Sequence, residues 1–258
     1  MIELSLWTIL LLALAAGAAG WVDAVSGGGG LLQLPALFIA LPAGNEVNAL
    51  ATNKLSSFFG TATAARTYIK HLNPDWKTAL PMAAVAFFFS GLGAVTAHLV
   101  PTEYFGTGIV IALVLVWIWT LLNPLMGQSS KMRWDGRKRH YVVAVGVGAL
   151  IGFYDGIFGP GTGSFLLIAL VGLLGYSFLA ASSTAKIVNL GTNAAALLVF
   201  GFSGSILWTL GLLMALCNVL GAYFGARMAI TRGSPFVRIV FLAIVAILII
   251  RLAWDLWA

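Results

Sequence analysis

Residues 152–165 read GFYDGIFGPGTGSF and place one carboxylate, Asp155, inside a long apolar stretch that ends in glycine and proline. The glycines and proline of residues 159–163 predict the end of a helix, because proline lacks a backbone N–H and glycine costs helix stability. Residues 20–31, GWVDAVSGGGGL, repeat this order, with Asp23 before four consecutive glycines. An acid set twice before a broken helix in apolar surroundings predicts a functional site.

The composition places this chain in a lipid bilayer. Of its 258 residues 60% are hydrophobic and 9% charged, whereas soluble domains carry about 25% charged residues. Stretches able to cross about 30 Å of hydrocarbon occur at residues 4–25, 47–65, 78–99, 104–125, 141–158, 178–201, 206–226 and 236–257, with shorter apolar pieces at 31–42 and 164–174. Backbone polar groups must be paired in lipid, and the stretches lack the alternation of a barrel. The predicted class is therefore an all-α, polytopic integral membrane protein.

Charge and cysteine content narrow the class further. The first stretch is predicted to be a retained helix and not a signal peptide, because it has no basic segment before it and membrane segments follow at once. Residues 126–140 carry five of the 14 Lys and Arg residues, which predicts a cytoplasmic loop and a multi-pass protein of the inner, or plasma, membrane. The net charge of +6 is explained by this topology, so no nucleic-acid partner is expected. A single cysteine, Cys217, predicts neither a disulfide nor a metal site, and no cofactor is expected.

The two glycine-broken stretches belong to an internal repeat. A shift of 132 residues, the separation of Asp23 and Asp155, aligns the halves without a gap. It also aligns Lys54 with Lys186, and it aligns the pairs Thr52 and Thr184, Trp76 and Trp208, and Gly93 and Gly225. The sequence therefore predicts a first transmembrane repeat at residues 1–125, a basic linker at 126–140 and a second repeat at 141–258. Internal repeats with broken helices are typical of secondary transporters, which bind substrate near the midplane between the repeats.

The charges of the loops favour an inverted arrangement of these halves. The loop at residues 66–77 is basic while its counterpart at 202–205 is uncharged, and the loop at 100–103 is acidic while its counterpart at 227–232 is basic. Inversion requires an odd number of crossings in each half. Four long stretches are an even number, so the two short pieces must also cross, or they are re-entrant half-helices and a parallel arrangement remains open.

Each glycine break predicts half of an anion site. The short segment after it would begin with free backbone N–H groups, at residues 30–32 and 163–165, and with the positive end of a helix dipole. Such a terminus binds anions, and glycine lets a ligand approach the backbone. The glycines predicted to contact the anion are Gly28, Gly29, Gly30, Gly161 and Gly163.

The next long helix of each half supplies a cation and polar side chains on one face. Residues at i, i+3 and i+7 share a helix face, so the predicted substrate-binding stripes are Lys54, Ser57 and Thr61 in the first half and Lys186, Asn189 and Asn193 in the second. Lysine inside a membrane is costly unless it faces a partner or a watery cavity, which makes these lysines functional candidates. Asp23 and Asp155 would hold the lysines or carry a coupling proton.

A structural reading of the same residues stays open. Asp23 would then pair with Lys54, and Asp155 with Lys186, only to neutralise charge, while the glycines let helices pack closely. The chain would be a non-transporting membrane assembly protein, with the repeat as architecture. An intramembrane enzyme is a further alternative, but no nucleophile with a base and no metal cluster is evident in the sequence.

These motifs resemble the TauE/SafE sulfite-exporter family of membrane permeases, in particular its YfcA-like branch. The resemblance rests on GWVDAVSGGGGLLQLPAL, NALATNKL, GFYDGIFGPGTGSF and STAKIVNLGTN, in that order, and covers nearly the whole chain. It implies transport of a small anion that contains sulfur, such as sulfite or an organosulfonate. The family pattern falls on Asp23, Gly27 to Gly30, Asn53, Lys54, Asp155, Gly159, Pro160, Gly163 and Lys186.

Taken together, the sequence predicts a secondary transporter of a small anion that works by alternating access. Asn53 is included among the substrate-binding residues, and because its repeat counterpart is Ala185, the two half-sites should differ. The expected partners are the anionic substrate and the lipid bilayer, and assembly into a homo-oligomer stays open.

Overall fold

The computed structural model describes residues 4–42, 44–96, 114, 117, 118, 120–123, 125–134 and 136–257. Within these residues the chain is helical and contains no strand, which confirms the all-α class. The first-half helices are α1 (Leu6–Ser26), α2 (Gly30–Ala40), α3 (Glu46–His71) and α4 (Trp76–Thr96). The second-half helices are α5 (Lys138–Ile157), α6 (Thr162–Ile168, extended by the π-helix Ala169–Leu174), α7 (Phe178–Phe202) and α8 (Trp208–Trp257).

Five of the described helices are long and apolar enough to cross a membrane, namely Leu6–Ser26, Trp76–Thr96, Lys138–Ile157, Phe178–Phe202 and Trp208–Ile247. The predicted span at 47–65 lies within α3, but α3 is less apolar than these helices because threonine, serine, asparagine and lysine interrupt it. The predicted spans at 206–226 and 236–257 form one helix, α8, broken at Gly233 (φ 74°, ψ −169°). Most of the predicted span at 104–125, and the loop at 100–103, lie outside the described residues.

The two short apolar pieces form helices of their own. Residues predicted at 31–42 and 164–174 form α2 and α6 with its π-helical extension. α2 turns back along α1, since Leu37 and Leu41 near its end share one buried cluster with Leu12 and Ala16 near the start of α1. The sequence left re-entrant half-helices open for these pieces, and α2 has this form.

The helices follow the predicted repeat closely. Helices that begin at residues 6, 30, 46 and 76 have counterparts that begin at 138, 162, 178 and 208, each 132 residues later. Packing between the halves is reciprocal as well: α1 packs along α8 and α4 along α5, while α3 packs on α8 and α4 on α7. The third helices, α3 and α7, contact each other directly. Every contact between the halves thus has a counterpart of the same kind.

Glycine allows the closest of these contacts. A Cβ on Gly225 would meet the carbonyl oxygen of Trp21 at 2.5 Å, and one on Gly93 would overlap that of Phe153; both glycine and partner are separated from their counterparts by 132 residues. Small residues bring membrane helices together where the hydrophobic effect does not. The helix crossings that support the site therefore depend on the absence of side chains.

A cluster of polar side chains joins the halves at the end of the bundle where the basic loop lies. Asp75, just before α4, accepts hydrogen bonds from Thr78 Oγ1 (2.7 Å) and from the Tyr176 hydroxyl (2.8 Å). Thr78 spends its only proton on Asp75, so it accepts from His140 Nε2, at 3.0 Å. Burial raises the pKa of Asp75, but these hydroxyls lower it by more, and the pKa lies below its ordinary value. The loop itself is fixed here, because the Lys131 N–H donates to the Gly175 carbonyl (2.8 Å).

Candidate functional site

Both predicted breaks occur, and glycine ends the first helix of each half. α1 ends at Gly27 in the left-handed conformation (φ 84°), and the Gly27 N–H donates to the Asp23 carbonyl (2.9 Å). Its counterpart Gly159 has φ 81°, and Gly161 has the same value. Residues with a Cβ rarely adopt this conformation. The Tyr154 hydroxyl donates to the Pro160 carbonyl (2.7 Å) and so holds the second break against α5.

The two breaks meet at the centre of the molecule. The Ser164 N–H donates to the Gly27 carbonyl (3.0 Å), and its hydroxyl donates to the Ser26 carbonyl (3.1 Å). No side chain separates Gly27 from Gly163, since a Cβ on Gly163 would lie 2.5 Å from the Gly27 Cα. The glycines therefore bring both acids and both lysines to one place.

Two buried ion pairs form there, and each one joins the two halves. Lys54 Nζ donates to Asp155 Oδ2 at 2.7 Å, with 3% and 1% of the two side chains exposed. Lys186 Nζ donates to Asp23 Oδ2 at 2.8 Å, with 2% and 17% exposed. The expected pairing within each half, Asp23 with Lys54 and Asp155 with Lys186, is wrong. The cause is the packing of α3 against α7, which places each lysine beside the acid of the other half.

Asp155 is held by donors on both carboxylate oxygens. Thr162 Oγ1 donates to Oδ1 at 2.7 Å, and Ser90 Oγ lies 3.4 Å from Oδ2. Lys54 also reaches Asn193 Oδ1 at 3.3 Å. A buried charge is tolerated when it is paired and hydrogen-bonded, and this pair meets both conditions.

Asp23 has fewer partners. Thr61 Oγ1 lies 3.4 Å from Asp23 Oδ2, the oxygen that Lys186 also contacts. Asn193 Nδ2 reaches Thr61 Oγ1 at 3.4 Å. Through Asn193 and Thr61 the two ion pairs belong to one polar network.

The ion pairs and the broken segments enclose a small cavity. Its volume is about 20 Å³, and it is lined by Asp23, Gly27, Gly30, Asn53, Lys54, Ser57, Asp155, Gly159, Gly161, Thr162, Gly163, Asn189 and Asn193. A cavity needs roughly 10–15 Å³ to hold one water molecule. The space therefore accepts about one water, and the structure represents a closed form of the site.

Most of the predicted site residues line this cavity. Four of them do not. Lys186 and Thr61 lie behind Asp23 and hold it, Gly28 backs onto the Ile244 side chain, and Gly29 faces the Ala19 carbonyl. A role of these four in substrate binding stays a prediction.

The predicted free N–H groups are present only in part. Those of Leu31 and Leu32 donate to the carbonyls of Gly28 and Gly29, and those of Ser164 and Phe165 to the carbonyls of Gly27 and Gly161, so the expectation is wrong for these four. They are used because tight turns at both breaks supply nearby carbonyls. Among the residues that the structure describes, the N–H groups of Gly30 and Gly163 make no hydrogen bond, and both residues line the cavity.

Sequence reasoning missed two side chains that hold Asp155. Thr162 lies within the GPGTGSF motif, seven residues after the acid, and a hydroxyl at that position was the one signal. Ser90 sits in the apolar run FFFSGLG. Its role depends on which face of α4 meets α5 and α7, and the sequence holds no sign of that.

We expect Thr162→Val to weaken the folded state. The change keeps the side-chain volume but removes the shorter donor to Asp155 Oδ1, and a hydrogen bond to a charged group is worth about 1.5–3 kcal/mol. Thermal unfolding of the purified protein measures the loss. Thr63→Val is the matched control, because Thr63 Oγ1 donates only to the Phe59 carbonyl at the exposed side of α3. Equal shifts in the two variants would contradict the role given to Thr162.

Comparison with known proteins agrees with this arrangement. The family model described as "Sulfite exporter TauE/SafE" matches residues 12–252. The chain is 36% identical to the probable membrane transporter protein ORF9 of a Sinorhizobium species over 256 residues, 99% of this chain and 96% of that protein. It is 32% identical to the probable membrane transporter protein YfcA of Escherichia coli K12, over 92% of this chain and 86% of YfcA. These relatives are named as transporters and not as enzymes, and the chain belongs to the TauE/SafE sulfite-exporter family of membrane transporters.

Proposed function

We propose that this protein is a secondary transporter of a small oxyanion that contains sulfur, such as sulfite or an organosulfonate. The observation that carries the proposal is the pair of buried lysines, Lys54 and Lys186, each held by an aspartate of the opposite half around one cavity. Ionisable side chains at membrane depth face a partner or a pathway and are functional by default. The family description, sulfite exporter, supports sulfur as the central atom.

The chemistry of the lining suits an oxyanion. Lys54 uses two of its three N–H donors on Asp155 and Asn193, which leaves one for a ligand. The Ser57 hydroxyl and the N–H groups of Gly30 and Gly163 line the same space. Asn53 Oδ1 has no partner, and because the oxygen and nitrogen of an amide are assigned from their neighbours, a rotated amide would donate to an anion. An oxyanion needs several convergent donors with charge compensation, and these groups supply both.

The closed cavity supports transport by alternating access. An oxyanion with three or more oxygens is larger than the single water for which the cavity has room, so the site must widen before substrate enters. Both halves supply its walls, and moving one half against the other would widen it from either side. Lys54 and Lys186 each lie eight residues after the start of their helix, about 12 Å along the axis, which suits a site near the midplane.

Helix directions support the inverted arrangement of repeats at residues 1–125 and 141–258. α1 and α3 run the same way, because the Tyr68 hydroxyl near the end of α3 donates to the Ala24 carbonyl near the end of α1 (2.9 Å). The short loop after His71 reverses the chain into α4. α4 and α5 then run in parallel, since Gly148, Gly152 and Gly156 face Met82, Ala86 and Ser90 in order. The first helices of the two halves thus point in opposite directions.

The side of the bundle that carries the basic loop at 126–140 would face the cytoplasm. The loop pairs with Leu174 and Gly175 and lies beside the end of α3, where Arg66 and Lys70 are exposed. An excess of basic residues marks the cytoplasmic side of bacterial membrane proteins, and the relatives are bacterial. The inner membrane is the location that this charge distribution favours.

A non-transporting assembly protein would use the same ion pairs only to neutralise charge, so we separate the two functions by ligand binding and flux. We expect sulfite to raise the unfolding midpoint of the purified protein, because a ligand at 100 times its Kd stabilises by about 2.7 kcal/mol. Sulfate, methanesulfonate and chloride complete the screen and define the class of anion. Labelled sulfite should then enter proteoliposomes that contain the protein and not empty liposomes. Protein that shows neither an anion-dependent shift nor flux would refute the proposal.

A further inference from the structure

The site is electrically balanced before any substrate enters. Two lysines face two aspartates in the described part of the site, and each charge has its partner within 2.8 Å. An entering anion therefore adds net negative charge to a region from which water is largely excluded. Uncompensated charge in such surroundings is expensive. A proton bound together with the anion would restore the balance.

The two carboxylates are not equally able to accept that proton. Asp155 is 1% exposed and has donors on both oxygens. Asp23 is 17% exposed and lines the cavity, and its described donors, Lys186 and Thr61, both contact Oδ2. Within the described residues Asp23 Oδ1 has no donor, so a proton can bind there without displacing one.

We propose that Asp23 is the residue that takes up a proton together with the anion, while Asp155 stays ionised. This inference rests on the proposed function. A proton adds to Oδ1 and converts the carboxylate of Asp23 into a neutral carboxylic acid. The ammonium of Lys186 then loses its anionic partner and compensates the charge of the bound oxyanion instead. When the anion leaves, Asp23 releases the proton and pairs with Lys186 again.

The groups around Asp23 fit this exchange. Lys186 faces it from α7, while Thr61 lies beside it on α3 and the Tyr68 hydroxyl is in its neighbourhood. Across the cavity stand Lys54 and Asp155, which neutralise each other. Protonating Asp155 instead would require the hydroxyl of Thr162, at 2.7 Å, or the ammonium of Lys54 to give way. The asymmetry predicts one titrating acid in the pair of half-sites.

Infrared difference spectroscopy on the full-length protein tests the assignment. Adding sulfite should produce the C=O stretching band of one newly protonated carboxylic acid in the wild type. We expect Asp23→Glu to shift the frequency of that band, because aspartic and glutamic acids absorb at different frequencies, whereas Asp155→Glu leaves it in place. Both variants keep a carboxylate in the site, which favours folding. Proton uptake from weakly buffered solution, measured with a pH dye, should equal about one proton per bound anion.

Each outcome bears on a different claim. Wild-type protein that binds sulfite without a new acid band refutes proton uptake at Asp23 and leaves the proposed function intact. A band that moves in Asp155→Glu and not in Asp23→Glu assigns the proton to the other acid and overturns the inference. Wild-type protein that binds and transports no anion refutes the proposed function, and this inference with it.

Discussion

Lys54→Ala should abolish anion transport and destabilise the protein. The change leaves Asp155 buried without its cation, and breaking a buried pair by removing one partner costs about 3–5 kcal/mol. It also removes from the cavity the cation that has a spare donor. Thermal unfolding measures the first effect, and flux of labelled sulfite into proteoliposomes measures the second. Lys70→Ala is the matched control, because Lys70 is exposed in the last turn of the same helix and should change neither.

A double variant separates transport from mere charge neutralisation. In Lys54→Met/Asp155→Leu apolar side chains replace the whole pair, and such replacement is often neutral or stabilising. Thr162 and Ser90 would keep acceptors in the carbonyls of Gly159 and Thr192, at 2.9 and 3.0 Å. We expect this protein to fold nearly as well as the wild type and to transport nothing. Transport at the wild-type rate in the double variant, or in Lys54→Ala, would show that the pair serves only architecture.

The crossed ion pairs show how far sequence reasoning reaches in this fold. The repeat supplies each half with an acid, a glycine break and a lysine 31 residues after the acid, and that pattern predicted the residues that meet at the centre. It does not determine which acid meets which lysine, since the same spacing permits pairing within a half or between halves. The contact between α3 and α7 decides the pairing, and it depends on helix directions that no local pattern contains.

The difference between the half-sites has a similar origin. Asn53 and Ala185 already distinguish the halves in the sequence, but the partners of the two acids differ for another reason. Ser90, which contacts Asp155, has Ala222 as its counterpart, and Thr162 has Gly30. Neither hydroxyl therefore has an equivalent beside Asp23. A nearly symmetric backbone thus holds one acid firmly and leaves the other free to exchange its partner, which is the property that coupled transport requires.

Gly27→Ala should cost more stability than any other single methyl group added to this site. Gly27 has φ 84°, and the left-handed conformation costs a residue with a Cβ about 1–2 kcal/mol. The added Cβ would also overlap the backbone of Gly163, and relief of such overpacking costs about 1–3 kcal/mol. Separating the two breaks would break the hydrogen bond from the Ser164 N–H to the Gly27 carbonyl and displace Asp23. We expect a lower unfolding midpoint and no sulfite-dependent shift.

Gly146→Ala provides the opposite expectation for the same chemical change. Gly146 lies within α5, and nothing stands within 4 Å of the position that its Cβ would occupy. Alanine is favoured over glycine inside a helix by about 0.8–1 kcal/mol, so this variant should be as stable as the wild type or more so, with full sulfite binding. Gly159→Ala should be intermediate, since its φ is 81° but its Cβ would meet only the flexible end of Lys54, at 3.4 Å. If all three variants behave alike, the contact between the two breaks does not hold the site together.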